Sequence, residues 1–235
     1  MRAALIANLN EADPGFVGRS LRRRGYAFTD FLREQHAQWP SLDGFDLVVA
    51  LGSGWSTYWD HVAEPVQAEQ FLMQEAMARN IPILGVCFGG QQLSRALGGV
   101  VTKAQSTEIG WFSVENMPEM AHIAPKVLFD GPWMQWHYDS FSVPLGATAL
   151  AQSPAGPQAF VCGRALGLQF HPEATESIVN MWSSGDGVEE LSGQGIDAED
   201  LLSATRIHQS ESEERCDALI DWFLTTIAQG HMPQG

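Results

Sequence analysis

The 235-residue chain sets 13 Lys plus Arg against 28 Asp plus Glu, and its formal charge of −15 opposes binding to nucleic acid or to an anionic membrane surface. A composition 45% hydrophobic and 17% charged is that of a globular protein able to bury a full core as one domain over residues 1–235, and no apolar run approaches the roughly 20 residues that span a bilayer. Three widely spaced cysteines, Cys87, Cys162 and Cys216, without a Cys-x-x-Cys pair, point to neither a disulfide framework nor a zinc site.

The start, MRAALIANLN, holds an apolar stretch too short for a signal peptide, so the expected location is cytoplasmic. Short apolar runs at Ala3 to Ala7, Tyr26 to Phe31, Phe45 to Leu51 and Ile81 to Val86 read as strands. Helical patterns fill the intervals at Val17 to Arg24, Val66 to Arg79 and Gln91 to Leu97. That alternation predicts an α/β fold, an open and mostly parallel sheet flanked by helices. The only basic cluster, Arg19 with Arg22 to Arg24, is expected on the solvated face of the first helix, because no glycine-rich phosphate loop accompanies it.

From Val100 to about Phe170 the pattern changes. The runs VTKA, FSVEN, KVLFDG, FSVPLG, ALAQS and AFVCG, broken by Gly, Pro and Asp, predict antiparallel strands and turns added to the sheet. Ala165 to Phe170 reads as one more central strand. The polar, acidic and glycine-containing stretch from Ser183 to Glu214 is expected to be a flexible loop or lid before a short helix, or else a solvated connector. Asp217 to Ile227 has the apolar spacing of a C-terminal amphipathic helix, and the tail AQGHMPQG is expected to fray.

Cys87 falls where the strand at Ile81 to Val86 gives way to a helix. The glycines at 85, 89 and 90 permit a strained turn with no side chain against the backbone, the arrangement of a nucleophile elbow, and the helix N-terminus beside the sulfur favours thiolate. A lone cysteine is otherwise a small buried hydrophobe; here the flanking pattern favours a nucleophile. A thiol nucleophile needs a base, and the base an orienting acceptor. GLQFHPEAT supplies both: His171 and Glu173 leave the same strand end on the same side, separated by Pro172.

Taken together, GVCFGGQQL and QFHPE resemble the signatures Gly-x-Cys-x-Gly-x-Gln and His-Pro-Glu of the class I, or triad-type, glutamine amidotransferases, and the resemblance runs from about Ala3 to Thr175. It implies a flavodoxin-like amidotransferase fold, with Cys87 as nucleophile, His171 as general acid and base, and Glu173 as its orienter. It further implies that Gln91 helps to hold the glutamyl part of the substrate. The oxyanion would rest on backbone N–H groups of Phe88 and of Gly52 or Ser53 in the loop LGSGWS. EIGW, at Glu108 to Trp111, and QWHYDSF, at Gln135 to Phe141, resemble segments of GMP-synthase-type amidotransferase domains, the second resembling a Ser-His-x-Asp stretch that lines the glutamine site. This implies site roles for Trp136, His137, Tyr138 and Asp139, although Trp136 replaces the common Ser; His137 and Asp139 also fit a hydrogen-bonded turn.

The expected chemistry is hydrolysis of a γ-glutamyl amide through a glutamyl thioester, with neither metal nor organic cofactor required. Two substrates remain open. Trp55, Tyr58 and Trp59 after the oxyanion glycines, with Trp111, Trp133 and Trp136, offer more aromatic surface than ammonia needs, which suits a larger and possibly aromatic leaving amine. The same tryptophans also fit plain core packing or a docking patch for a separate synthase, for which the chain would hydrolyse glutamine. A non-catalytic regulatory domain on the same fold is the third reading.

Overall fold

The computed structural model describes residues 1–125 and 128–230. Strand β1 (Arg2–Ala7) leads through helix α1 (Gly15–Arg23) to β2 (Ala27–Leu32), and β3 (Leu47–Ala50) through α2 (Ala63–Ala78) to β4 (Ile83–Val86). After α3 (Phe88–Ala96) come β5 (Val101–Phe112), β6 (Glu115–Asn116), β7 (Trp133–Phe141), β8 (Thr148–Ser153), β9 (Gly156–Cys162) and β10 (Ala165–Leu168). The chain then folds into α4 (Glu176–Trp182), α5 (Asp186–Gly193) and α6 (Ala198–Trp222), the last running on into a π-helical turn over Phe223–Ile227.

Eight strands form one sheet in the order β2-β1-β3-β4-β10-β9-β8-β6, while β5 and β7 pair separately as an antiparallel ribbon. The first five strands of that order run parallel, and β9, β8 and β6 extend the sheet antiparallel. The mixed α/β architecture anticipated from the alternating apolar runs is therefore the one observed.

Central strands buried on both faces have continuous apolar sequences, and their period of two divides them between two cores. Ala3, Leu5, Leu47, Val49, Leu84, Val86, Leu166 and Leu168 face α1 and α6, where they meet Val17, Leu21, Leu219 and Phe223. Ala4, Ile6, Val48, Ala50 and Ile83 face α2 and α3, against Met73, Ala76 and Leu93. The chain passes from β1 to β2 on one side and returns to β3 on the other. The carboxyl ends of β1, β3, β4 and β10 thus converge at a switch point, the usual place for a ligand in such sheets.

Three expectations need correction. Residues 183–214 are not a loop: α5 and most of α6 occupy them, α6 starting where the Asp197 carboxylate accepts from the N–H groups of Glu199 and Asp200. The final helix accordingly begins at Ala198 rather than near Asp217. The arginine cluster does lie on the solvated face of the first helix, with Arg19, Arg22 and Arg23 exposed, and there Arg19, Arg23 and Arg24 pair with Glu213, Asp217 and Asp221 of α6. Within KVLFDG, residues 126 and 127 lie outside the described residues, and none of Leu128 to Gly131 is in a strand. Of the tail, residues 231–235 also lie outside them, while Ala228 is buried and its carbonyl accepts from Arg164. Among the described residues no helix is long and apolar enough to cross a membrane.

Candidate active site

Cys87 occupies a single strained position between β4 and α3, with φ 51° and ψ −109°. Only Asn80 shares a positive φ among the described non-glycine residues. The conformation is held from both sides, because the Cys87 N–H donates to the Leu168 carbonyl of β10 at 2.8 Å and its carbonyl accepts from Gln91 N–H at 2.9 Å. Glycines make the elbow possible in a literal sense. A Cβ on Gly89 would lie 2.2 Å from the Ala50 oxygen, and one on Gly90 would lie 2.4 Å from the Leu168 oxygen. The α3 backbone thus rests directly on β3 and β10, and the sulfur sits at the helix N-terminus.

His171 leaves β10 with its N–H bonded to the Met134 carbonyl of β7 at 2.8 Å. Its Nδ1 pairs with Glu173 Oε1 at 2.7 Å inside a fully packed setting, both residues being 3% exposed. Nε2 is buried without a hydrogen-bond partner, and the Cys87 sulfur is one of the groups that act on the imidazole. Burial opposes charge on this imidazole; the Glu173 carboxylate and the Cys87 sulfur outweigh burial and hold its pKa well above the ordinary histidine value. Gly15, at φ +45°, brings the start of α1 onto this turn, where Phe16 N–H donates to the Glu173 carbonyl at 3.0 Å. Cys87, His171 and Glu173 therefore come together, an arrangement that suits a nucleophile, a proton carrier and its orienter.

The loop after β3 closes over the pair. A Cβ on Gly52 would sit 3.0 Å from His171 Cε1 and 3.7 Å from Cys87 Cβ. Glu11 lies beside this loop, and burial raises the pKa of its carboxyl. Phe88, as the first residue of α3, has an N–H with no intrahelical acceptor.

Gln91 is buried, and its amide donates to Gln169 Oε1 at 3.3 Å and to the Asp139 carbonyl at 3.4 Å. Gln169 in turn directs Nε2 at the Cys87 sulfur, 3.6 Å away. Asp139 is tied to the oxyanion loop, because its carboxylate accepts from Ser56 Oγ at 2.6 Å and Tyr58 Oη at 2.8 Å. His137 lies behind it, between Glu108 Oε2 at 3.0 Å and the Asp139 carbonyl at 3.1 Å. His137 and Asp139 thus brace the site from below.

The tryptophans divide. The Trp136 carbonyl lies 3.8 Å from the Cys87 sulfur, and its indole meets that of Trp182 edge-on at 6.0 Å. Trp182, at the end of α4, stands with its ring centroid 4.6 Å from that of His171. Glu190 of α5 accepts from Trp136 Nε1 at 2.8 Å and from Tyr138 Oη at 3.2 Å, and burial together with that carboxylate pushes the Tyr138 hydroxyl up to about 12. By contrast, Trp55 packs on the cluster of Val62, Val66 and Phe88, and Trp59 stacks on His61 at the surface. Trp111 turns to α6, where its Nε1 finds Thr205 Oγ1 at 3.0 Å and its ring meets His208. Trp133 is core, stacked on Phe170.

Three neighbours of the triad are not among the residues singled out from the sequence: Gln169, Trp182 and Glu190. Gln169 stands inside the QFHPE run and alternates with His171 along it, a signal that points to it. Glu190 arrives from a helix whose sequence reads as a loop, and Trp182 from α4, just before that stretch.

The family model for class I glutamine amidotransferases matches residues 60–180. A GMP synthase [glutamine-hydrolyzing] of Helicobacter pylori is 38% identical over 105 residues, covering 42% of this chain and 20% of the synthase. The chain thus matches about a fifth of the length of such relatives. A putative glutamine amidotransferase-like protein of Salmonella typhimurium, YfeJ, is 28% identical over 155 residues, 60% of this chain and 63% of that one. Among solved structures, a glutamine amidotransferase from Thermotoga maritima superposes with a TM-score of 0.81 at 28% identity, covering 97% of this chain and 98% of its own. With the family model spanning more than half its length, the chain belongs to the class I glutamine amidotransferases.

Proposed function

We propose that the protein hydrolyses a γ-glutamyl amide whose leaving group is an amine larger than ammonia. In this reading the Cys87 sulfur attacks the γ-carbonyl carbon, and the charge on the carbonyl oxygen is met by the N–H groups of Phe88 and of Gly52 or Ser53. His171 Nε2 gives its proton to the departing nitrogen as the C–N bond breaks, leaving a γ-glutamyl thioester. Water then loses a proton to the same nitrogen, adds to the thioester and expels the sulfur, releasing glutamate. Gln169, whose amide reaches to the sulfur, and Gln91, bonded to Gln169, are suited to the glutamyl side of the pocket.

One observation carries the choice of a substituted amide. The imidazole that must protonate the leaving nitrogen stands against Trp182, with Trp136 edge-on behind it. A substituent on that nitrogen would therefore emerge beside indole surface, where apolar or aromatic groups are favoured and ammonia has nothing to gain. A second reading, a glutaminase that passes ammonia to a synthase partner, draws on the word "glutamine-hydrolyzing" in the names of the GMP synthase relatives.

Steady-state kinetics on glutamine, a γ-glutamyl alkylamide and γ-glutamylanilide, with Cys87→Ser as the blank, separates the two. The expected result is a kcat/KM for a substituted amide at least about tenfold above that for glutamine, a difference of about 1.4 kcal/mol in transition-state binding, and loss of most of it in Trp182→Ala. Preference for glutamine, unaltered in that variant, gives the glutaminase reading instead. Full activity in Cys87→Ser removes both.

A further inference from the structure

Behind the oxyanion loop lies an ion pair that the chemistry above does not use. Arg33, just after β2, and Glu69, on α2, are both wholly buried, and the guanidinium grips the carboxylate through Nε at 2.8 Å and Nη2 at 3.0 Å. The other three N–H groups of Arg33 are also committed. Nη2 donates to the Leu51 carbonyl at 2.8 Å, and Nη1 donates to the Gly52 carbonyl and to Asn8 Oδ1, each at 2.9 Å. All five donors of the fork are thus satisfied, two of them by consecutive carbonyls of the candidate oxyanion loop.

That pairing has a geometric consequence. The described peptides are all trans, so each carbonyl points opposite to the N–H that follows it. By holding the oxygens of Leu51 and Gly52, Arg33 turns the N–H groups of Gly52 and Ser53 away from itself. The second half of the oxyanion site is held by the same pair. The Phe88 ring lies under the guanidinium, 4.7 Å from its Cζ, and Gln92, one turn along α3, donates to Glu69 Oε2 at 3.3 Å. A single buried pair therefore fixes the loop donors and the elbow donor relative to each other.

We infer that Arg33, held by Glu69, is a positioning residue that sets the orientation and spacing of the backbone N–H groups receiving the oxyanion. The inference rests on the catalytic reading given above. Arg33 touches no reacting atom, so its loss should weaken transition-state stabilisation while leaving ground-state binding and the thiol intact. Lysine cannot replace it, having a point charge and three donors where a planar fork of five is used.

Two variants test it. Arg33→Met combined with Glu69→Leu removes both buried charges at once, a change that proteins tolerate far better than removal of one. Arg33→Lys keeps a cation for Glu69 and loses the fork, and it decides the matter where the double variant does not melt cooperatively. The readouts are kcat and KM on the best γ-glutamyl amide, and the rate at which iodoacetamide alkylates Cys87, a displacement that forms no oxyanion. The expected outcome is a fall in kcat of about 10²-fold, the size of one lost oxyanion donor, with KM and the alkylation rate within about threefold of the parent. A folded variant that keeps its kcat overturns the inference. So does one whose alkylation rate falls as far as kcat, because the damage then lies in the Cys87–His171 pair. Absence of turnover in the parent protein on every γ-glutamyl amide tried, glutamine included, would instead remove the catalytic reading beneath it.

Discussion

Glu173 holds His171 Nδ1 at 2.7 Å, and its negative charge is the chief reason a buried imidazole keeps its proton. Two consequences share one sign. The folded pKa lies above the unfolded value of about 6.5, so the stability contributed by the charged ring is complete below about pH 6.5 and is lost as pH rises through the raised folded value. In the proposed reaction the proton on Nε2 is the one the amine takes, so the alkaline limb of kcat/KM is expected to follow the same ionisation. Glu173→Gln keeps an oxygen acceptor and removes the charge. It should lower kcat/KM by about 10²-fold or more and move the alkaline limb to lower pH, as read from a pH profile. A limb that stays in place would assign it to a group other than His171. At this scale the triad is legible in the amino-acid sequence, since Cys87, His171 and Glu173 each sit in a short run whose spacing has a mechanical meaning. Arg33 is not, because a single arginine after a strand says nothing of the carbonyls it will find.

The elbow that carries Cys87 depends on the closeness of α3 to the sheet. Gly89 is the decisive position, since a methyl group there would have to share space with the Ala50 carbonyl at 2.2 Å, a rigid part of β3. Two effects oppose each other in Gly89→Ala. Alanine is the better helix former by about 1 kcal/mol, whereas forcing an extra carbon into a packed backbone contact costs about 1–3 kcal/mol or more and pushes α3 off the strand. The clash should win: a lower denaturant midpoint, together with loss of turnover, is the expected result. A stabilised variant would mean that the backbones do not touch. The glycine pattern makes this element readable, as do the apolar runs of β3, β4 and β10. The C-terminal helices are hidden because α6 buries Thr205, Ser212 and Cys216 beside its leucines, so its apolar stripe is interrupted, and the glycines before it suggest a loop. The N-cap at Asp197, with acids in the first turn, is the signal that the sequence does carry.

On the scale of the whole molecule, α6 matters to the site because the segment it anchors, α4 with Trp182 and α5 with Glu190, walls the imidazole. What fastens α6 to α1 is partly apolar, through Cys216, Leu219 and Ile220 against Val17 and Leu21, and partly ionic. Asp217 accepts from Ser20 Oγ at 2.6 Å, Arg24 Nη1 at 2.6 Å and Arg23 Nη2 at 2.8 Å. The bond from Arg24, aided by those from Ser20 and Arg23 and opposed by partial burial, holds its carboxyl well below the usual carboxylate range. A depressed pKa contributes stability above the unfolded value of about 3.9, and that stability is lost as pH falls through the folded one. With the Asp217 side chain 39% exposed, solvent screens the interaction, so Asp217→Asn should cost only about 1 kcal/mol, or a fall of about 2–4 °C in Tm at neutral pH. The gap between parent and variant should narrow as the melts are repeated at progressively lower pH, because the parent then loses the charge that the variant already lacks. A gap that persists unchanged in acid would place the effect in the hydrogen bond from Ser20. No gap at any pH would leave the apolar face of α6 as the whole of its attachment, and the wall beside His171 would then depend on packing alone.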